Sequence, residues 1–188
     1  HNHIKLRGAD WNDGLDMADE RGESVAFTAL YAGNLKNLAK DIRAYSEKTG
    51  KDSVSIAKEL LILIHADKEI YDHIGEKNAV LSEYCEAVHH IITGEKTEIK
   101  CSELCEVLET MADWTANHIR ETEWTSDKEG NAWFNGYYDN SGKAVEGDFE
   151  SGVRMMLTGQ VFSIMSKVAT KEQVEEIAKT ADKYLYDK

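Results

Sequence analysis

Apolar positions along this chain recur mostly at intervals of three and four, the spacing that places them on one face of a helix. Over residues 23–48, Val25, Ala29, Leu30, Ala32, Leu35, Leu38, Ala39 and Ile42 follow that spacing, and Thr49-Gly50 ends the run. Ser53 is placed to cap a second helix, in which Val54, Ile56, Ala57, Leu60, Leu61, Leu63 and Ile64 are apolar nearly all round and so predict deep burial. Further periodicity predicts helices over 78–93, ending at Gly94, and over 101–122, through Leu104, Val107, Leu108, Met111, Ala112 and Ile119. Helicity resumes over 153–168, and Thr170 with Gln173 forms a capping box that opens a last helix through Tyr186.

Two stretches break the helical pattern. Residues 1–22 are rich in Gly and Asp without helical spacing, which predicts a loop that positions side chains. In residues 124–149, Trp133, Phe134, Tyr137 and Tyr138 precede Asp139-Asn140-Ser141-Gly142, a turn signal that predicts a short β-hairpin or an ordered aromatic loop. No 33- or 34-residue consensus repeats, so the helix pairs suit a toroid of hairpins better than a solenoid.

Composition supports a helical reading. Among 188 residues there is no proline, which leaves long stretches free of helix breakers. A chain of this length can bury roughly 70% of its unfolded surface, and its hydrophobic content of 41% agrees with a real core. With 22 Lys and Arg against 35 Asp and Glu, the net charge of −13 is spread along the chain and argues against nucleic acid or anionic membrane as a partner. The 3 cysteines are odd in number. No signal peptide opens the chain, and no apolar run approaches the roughly 20 residues needed to span a bilayer, so a reducing cytoplasm is the simplest expected home. The chain starts at His1 rather than Met and reaches its most distinctive motif within a few residues, so it reads as a piece of something longer.

That motif is Gly8-Ala9-Asp10-Trp11-Asn12-Asp13-Gly14-Leu15-Asp16, continuing through Glu20-Arg21-Gly22-Glu23-Ser24. Acids, an indole and glycines share one loop. Cleaving a glycosidic bond needs a carboxylic acid to protonate the departing oxygen and an apolar ring face to hold the sugar, and both are here. Acidic Gly-rich loops also serve as turns, helix caps or calcium sites. An EF-hand loop requires Gly at its sixth position, and counting from Asp10 that place is Leu15.

The order Asp-Trp-Asn-Asp-Gly followed by Gly-Glu-Ser closely resembles glycoside hydrolase family 94, the cellobiose and chitobiose phosphorylases. Trp133-Phe134, the Tyr137–Gly142 turn and Glu150-Ser151-Gly152 are similar to the later part of the family's catalytic domain. The resemblance implies that residues 1–188 are the second half of an (α/α)6 barrel, an all-α fold with a short hairpin or aromatic loop inserted. Residues 1–22 are then the catalytic loop, 23–122 helical hairpins, 123–152 the aromatic loop and 153–188 the closing helices. It implies Asp13 as the general acid, with Trp11, Asp10 and Glu150 as sugar contacts, and a β-linked gluco-oligosaccharide as substrate. Inorganic phosphate is the co-substrate that attacks the anomeric carbon with inversion, and no metal or organic cofactor is implied. The remainder of the same enzyme, or a second copy, is the implied protein partner.

The match departs at Leu157, where the disaccharide phosphorylases carry a phosphate-binding His. Met155 to Gln160 is more similar to the branch acting on β-1,2-glucans, cyclic glucan synthases included. Two rival readings follow: an inverting hydrolase, in which a second carboxylate activates water, and a non-catalytic helical interaction module. Other chemistry-bearing residues have plainer explanations. Cys101 and Cys105 lie four apart on a helix and suit buried thiols better than zinc. His89 and His90 point in different directions on a helix, and Glu103, Glu106 and Glu109 fall along a solvated edge. Trp133, Tyr137 and Tyr138 suit a sugar platform and the packing of a hairpin equally.

Overall fold

The computed structural model describes residues 1–6 and 18–186. The chain runs β1 (Ile4–Lys5), β2 (Glu23–Ser24), α1 (Val25–Thr49), β3 (Ser53–Ala57), α2 (Leu61–Ile64), α3 (Ile74–Ala87), β4 (Lys96–Lys100) and α4 (Cys101–Thr122). It continues through β5 (Trp124–Ser126), β6 (Ala132–Phe134), β7 (Tyr137–Tyr138), β8 (Gly147–Phe149), β9 (Gly152–Arg154), α5 (Leu157–Met165) and α6 (Lys171–Tyr184). It divides into two compact units, His1–Asn34 with Thr115–Lys188, and Leu35–Trp114.

The expectation of an all-α half-barrel is corrected. Among the described residues, helix accounts for 55% and strand for 17%, with the strands in four small antiparallel sheets, so the fold is mixed α/β rather than an all-α fold with one inserted hairpin.

In the first unit, β2 is the middle strand of a three-stranded sheet, pairing Ile4 with Ser24 on one side and Ser24 with Tyr137 on the other. β5 pairs with β6, and β8 with β9. Their apolar faces meet the start of α1, the end of α4 and helix α6 in a core of Val25, Ala29, Ala32, Ala116, Ile119, Trp133, Phe134, Met155, Val168 and Ile177. Ser24 caps α1 by accepting the Phe27 amide through Oγ at 3.1 Å. The amides of Val25 and Ala26, which have no partner inside the helix, both donate to the Gly136 carbonyl. The approach there is close, since a Cβ on Gly136 would lie 2.7 Å from Glu146 Oε1.

The second unit holds the largest departure from the sequence pattern. Residues 53–57, expected in a helix, form β3, in register with β4 from Ser53 opposite Lys100 to Ala57 opposite Lys96. The nearly all-round apolar character of 53–64 hides a two-residue alternation, Ser53-Val54-Ser55-Ile56, with β-branched residues that suit a pleated strand. Val54 and Ile56 pack against the apolar cluster that includes Ile99, Leu104 and Leu108, and Ser55 between them is exposed. Of the expected helix there remain a 3-10 turn at Lys58–Leu60 and the four residues of α2. The next helix is shifted as well: α3 ends at Ala87 instead of running to Thr93, and His90 takes a left-handed conformation with φ 79°. Residues 153–156 are extended, so α5 begins at Leu157.

α6 has the capping box read from sequence, with Thr170 Oγ1 accepting the Gln173 amide and Gln173 Oε1 accepting the Thr170 amide at 3.0 Å. Thr180 Oγ1 on this helix donates to the Ala132 carbonyl at 3.1 Å and fixes α6 on β6. Thr170→Ala is expected to lower stability by about 1 kcal/mol. Urea unfolding should report a lower midpoint with an unchanged m value, and Thr170→Ser should keep most of the stability.

Candidate functional site

Asp10, Trp11 and Asp13 lie outside the described residues. On one side of that segment stand β1 and Leu6, and on the other the turn at Ala18–Gly22 leading to β2. The Leu6 amide donates to the Gly22 carbonyl at 3.0 Å, and the Gly22 amide to the Ala18 carbonyl at 2.9 Å. Asn140 Oδ1 accepts the Arg21 and Gly22 amides at 2.8 and 3.2 Å. Asn140 sits in the predicted turn, where Asp139 Oδ1 accepts the amides of Ser141 and Lys143 and Gly142 takes φ 76°. Those hydrogen bonds hold the Asp139 carboxyl below its usual range.

Beneath this sheet is a buried polar cluster. Glu123, just past the end of α4, is 2% exposed. Its Oε1 lies 2.9 Å from His3 Nε2, and its Oε2 accepts from Tyr138 OH at 2.8 Å and Asn135 Nδ2 at 3.0 Å. Burial pushes the Glu123 carboxyl up, but His3, Asn135 and Tyr138 together outweigh it and the net shift is downward. A carboxylate only accepts, so His3 Nε2 carries the proton of that bond. Burial and the Glu123 charge push the Tyr138 phenol far up, which keeps it a hydrogen-bond donor. His1, for which the sequence offers no role, stacks on Tyr138 with ring centroids 3.5 Å apart.

Glu146 is the second buried acid. Its Oε1 accepts the Gly136 amide at 2.8 Å, and its Oε2 the Met156 amide at 2.6 Å, so it ties the segment after β6 to the start of α5. Burial raises its pKa to about 8 in spite of those amides. Gln160 completes the tie, accepting the Phe134 amide at 3.0 Å and donating to the Phe134 carbonyl at 2.7 Å. Asn135 joins the two acids, because its Oδ1 accepts the Glu146 amide at 3.3 Å while its Nδ2 serves Glu123.

The other residues singled out from sequence fall in varied places. Glu150 is exposed at the turn between β8 and β9. Trp133 and Tyr137 are 0% exposed, so they pack the core and offer no sugar platform, and the Tyr138 hydroxyl is held by Glu123. Cys101 and Cys105 are buried, with Cys105 Sγ donating to the Ala39 carbonyl. His89 and His90, instead of diverging on a helix, lie past its end with ring centroids 3.8 Å apart. Glu103 and Glu106 are exposed, whereas Glu109 pairs with Arg43. Leu157 opens α5 and is exposed, and Thr158-Gly159 lies in that helix.

Sequence reasoning missed Glu123, Glu146, Asn135 and His3. Glu123 and Glu146 each stand three residues after a basic residue, Arg120 and Lys143, as many solvated acids do, so nothing in their spacing separates them from the other acids of this chain. No group of three or more His, Cys, Asp or Glu among the described residues is arranged to hold a metal ion, and no helix among them is long and apolar enough to cross a membrane. No protein-family model matches the chain, and no curated protein matches it significantly.

The raised pKa of Glu146 has a direct consequence for stability. Between its ordinary value of 4.5 and the folded value of about 8, the folded state holds a proton that the unfolded state has lost. Raising pH across this window therefore favours unfolding, and the Glu146 contribution falls as pH rises. In Glu146→Gln that titration is absent. Urea unfolding between about pH 5 and about pH 8 should give a flatter stability profile for the variant than for the parent. Parallel profiles would contradict the shift.

Proposed function

We propose that this chain is the acid-bearing segment of a carbohydrate-active enzyme that cleaves β-linked gluco-oligosaccharides by phosphorolysis with inversion. Asp13 donates its proton to the glycosidic oxygen as the bond to the anomeric carbon breaks. A phosphate oxygen forms the new bond from the opposite face, giving α-glucose 1-phosphate and a shortened sugar. Trp11 offers a ring face to the glucosyl residue, and Asp10 and Glu150 offer carboxylates to its hydroxyls.

The observation that carries this reading is the Asp-Trp-Asn-Asp-Gly motif, with proton donor, indole and backbone-permissive glycines in one short segment. Its flanks support it. The segment leaves from and returns to neighbouring strands of one sheet, with Ile4 opposite Ser24 and Leu6 bonded to Gly22. Functional groups are commonly carried on loops whose ends a rigid scaffold fixes. Glu150, on an exposed hairpin turn, is open to a ligand.

Hydrolysis is the second reading, favoured by Leu157, an exposed apolar residue where the disaccharide phosphorylases have a phosphate-binding His. Phosphate dependence in the full-length enzyme separates the two: phosphorolysis yields glucose 1-phosphate and stops without phosphate, whereas hydrolysis yields free glucose in its absence.

General acid catalysis contributes about 10²–10⁴-fold, so Asp13→Asn should lower turnover of a natural oligosaccharide by at least that factor. A dinitrophenolate departs as a stable anion and needs little protonation, so the same variant should lose far less on a dinitrophenyl β-glucoside. Equal losses on both substrates, with the parent active on each, would overturn the assignment of Asp13.

A further inference from the structure

We infer that Asn135-Gly136 is a latent deamidation site, closed while the network around Glu123 and Glu146 is intact and consumed when the first unit opens, so that opening becomes irreversible. It is the one Asn-Gly pair in the sequence. In such a pair the glycine nitrogen reaches the preceding side chain because no Cβ stands in the way. The Gly136 nitrogen loses its proton to solvent hydroxide and bonds to Asn135 Cγ. The side-chain nitrogen takes a proton from water and departs as ammonia. Water then opens the succinimide ring at either carbonyl, leaving aspartate or isoaspartate at position 135.

Both reacting groups are engaged in the folded protein. Asn135 is 3% exposed, and Gly136 is buried beside it. Asn135 Nδ2 donates to Glu123 Oε2 at 3.0 Å, and Oδ1 accepts the Glu146 amide at 3.3 Å. The Asn135 amide donates to the Glu123 carbonyl at 2.9 Å. The Gly136 amide, whose proton must leave, donates to Glu146 Oε1 at 2.8 Å, and the Gly136 carbonyl accepts the Val25 and Ala26 amides at 2.9 and 3.1 Å. Closing the ring removes the Nδ2 donor and the Gly136 proton together, so it breaks a bond to each buried acid at once.

The network itself demands the susceptible pair. A Cβ at position 136 would lie 2.7 Å from Glu146 Oε1 and 3.3 Å from Gly159 Cα, so glycine is required there. Position 135 needs a short side chain that donates to one acid and accepts from the backbone of the other, which an amide does and a carboxylate does not. The deamidated product therefore has no place in the fold. A carboxylate at 135 offers Glu123 no donor and sets a second negative charge beside one already buried. Isoaspartate also lengthens the main chain by a methylene next to the carbonyl that holds the start of α1. A chain modified faster than it refolds leaves the folding equilibrium, and its lifetime is then set by the rate of opening.

The test holds the full-length protein at mildly alkaline pH in native buffer and in guanidinium above its unfolding midpoint, and follows the peptide spanning Asn135 by mass spectrometry. Exchange of the Asn135 side-chain nitrogen for oxygen is expected at least about tenfold faster in guanidinium than in native buffer. After dilution, the refolded fraction should carry intact Asn135 and the fraction that fails to refold should be enriched in the product. Equal rates in the two arms, or no reaction in guanidinium, overturn the latent site. Product shared evenly between refolded and unrefolded protein overturns the irreversibility. A pair of variants reads the same consequence without the chemistry. Asn135→Asp should lower the urea midpoint well below that of Asn140→Asp, the same charge change at a residue whose Oδ1 accepts two amides, a role aspartate keeps. Equal midpoints for the two variants would contradict the inference.

Discussion

A carboxylate taken out of water must be compensated from several directions at once, and in this protein that requirement at Glu123 organises the first unit. Its partners come from four places in the chain: His3 before β1, Thr122 at the end of α4, Asn135 after β6 and Tyr138 in β7. None of these elements can shift without leaving a buried charge short of a hydrogen bond, which costs more than the net gain of an ordinary bond. Two strands of two residues each, β1 and β7, have little ladder of their own, and the side chains around Glu123 do what longer pairing does in larger sheets.

Glu146 extends the same constraint toward the helices. Its two oxygens serve the Gly136 and Met156 amides, and the Gly136 carbonyl in turn accepts the first two amides of α1. One residue away, Asn135 serves both acids. The two carboxyls nevertheless titrate in opposite directions, Glu123 held down by His3, Asn135 and Tyr138 against burial, and Glu146 pushed up by burial with only neutral amides to oppose it. The difference is one of partners, a ring that can carry charge on one side and uncharged dipoles on the other.

Much of the helical content was legible in the sequence because it is locally determined. The helix over 101–122 forms with those bounds, α1 begins two residues later than its pattern, and the capping box at Thr170 and Gln173 is made as read. The strands were not legible for the opposite reason. β3 depends on β4, more than 35 residues away in sequence, and β2 joins β1 to β7 across most of the chain. A count of apolar residues over 53–64 favours a helix, and only the distant partner decides between that count and the two-residue alternation inside it. The motif at Asp10–Asp13 could be read because its chemistry is adjacent in sequence, but the buried acids could not: each is identified by side chains that arrive from other elements. The aromatic residues illustrate the same limit, since Trp133 and Tyr137 look equally suited to a sugar face or a core until their neighbours are known.

Glu123 and Glu146 belong to one network joined through Asn135, and a double-mutant cycle measures their coupling directly. Glu123→Gln, Glu146→Gln and the double variant are compared with the parent by urea unfolding at a single pH near neutrality. The loss in the double variant is expected to depart from the sum of the single losses by more than about 0.5 kcal/mol, as for residues sharing one hydrogen-bond network. Losses that add to within about 0.3 kcal/mol would show two independent buried acids and contradict it.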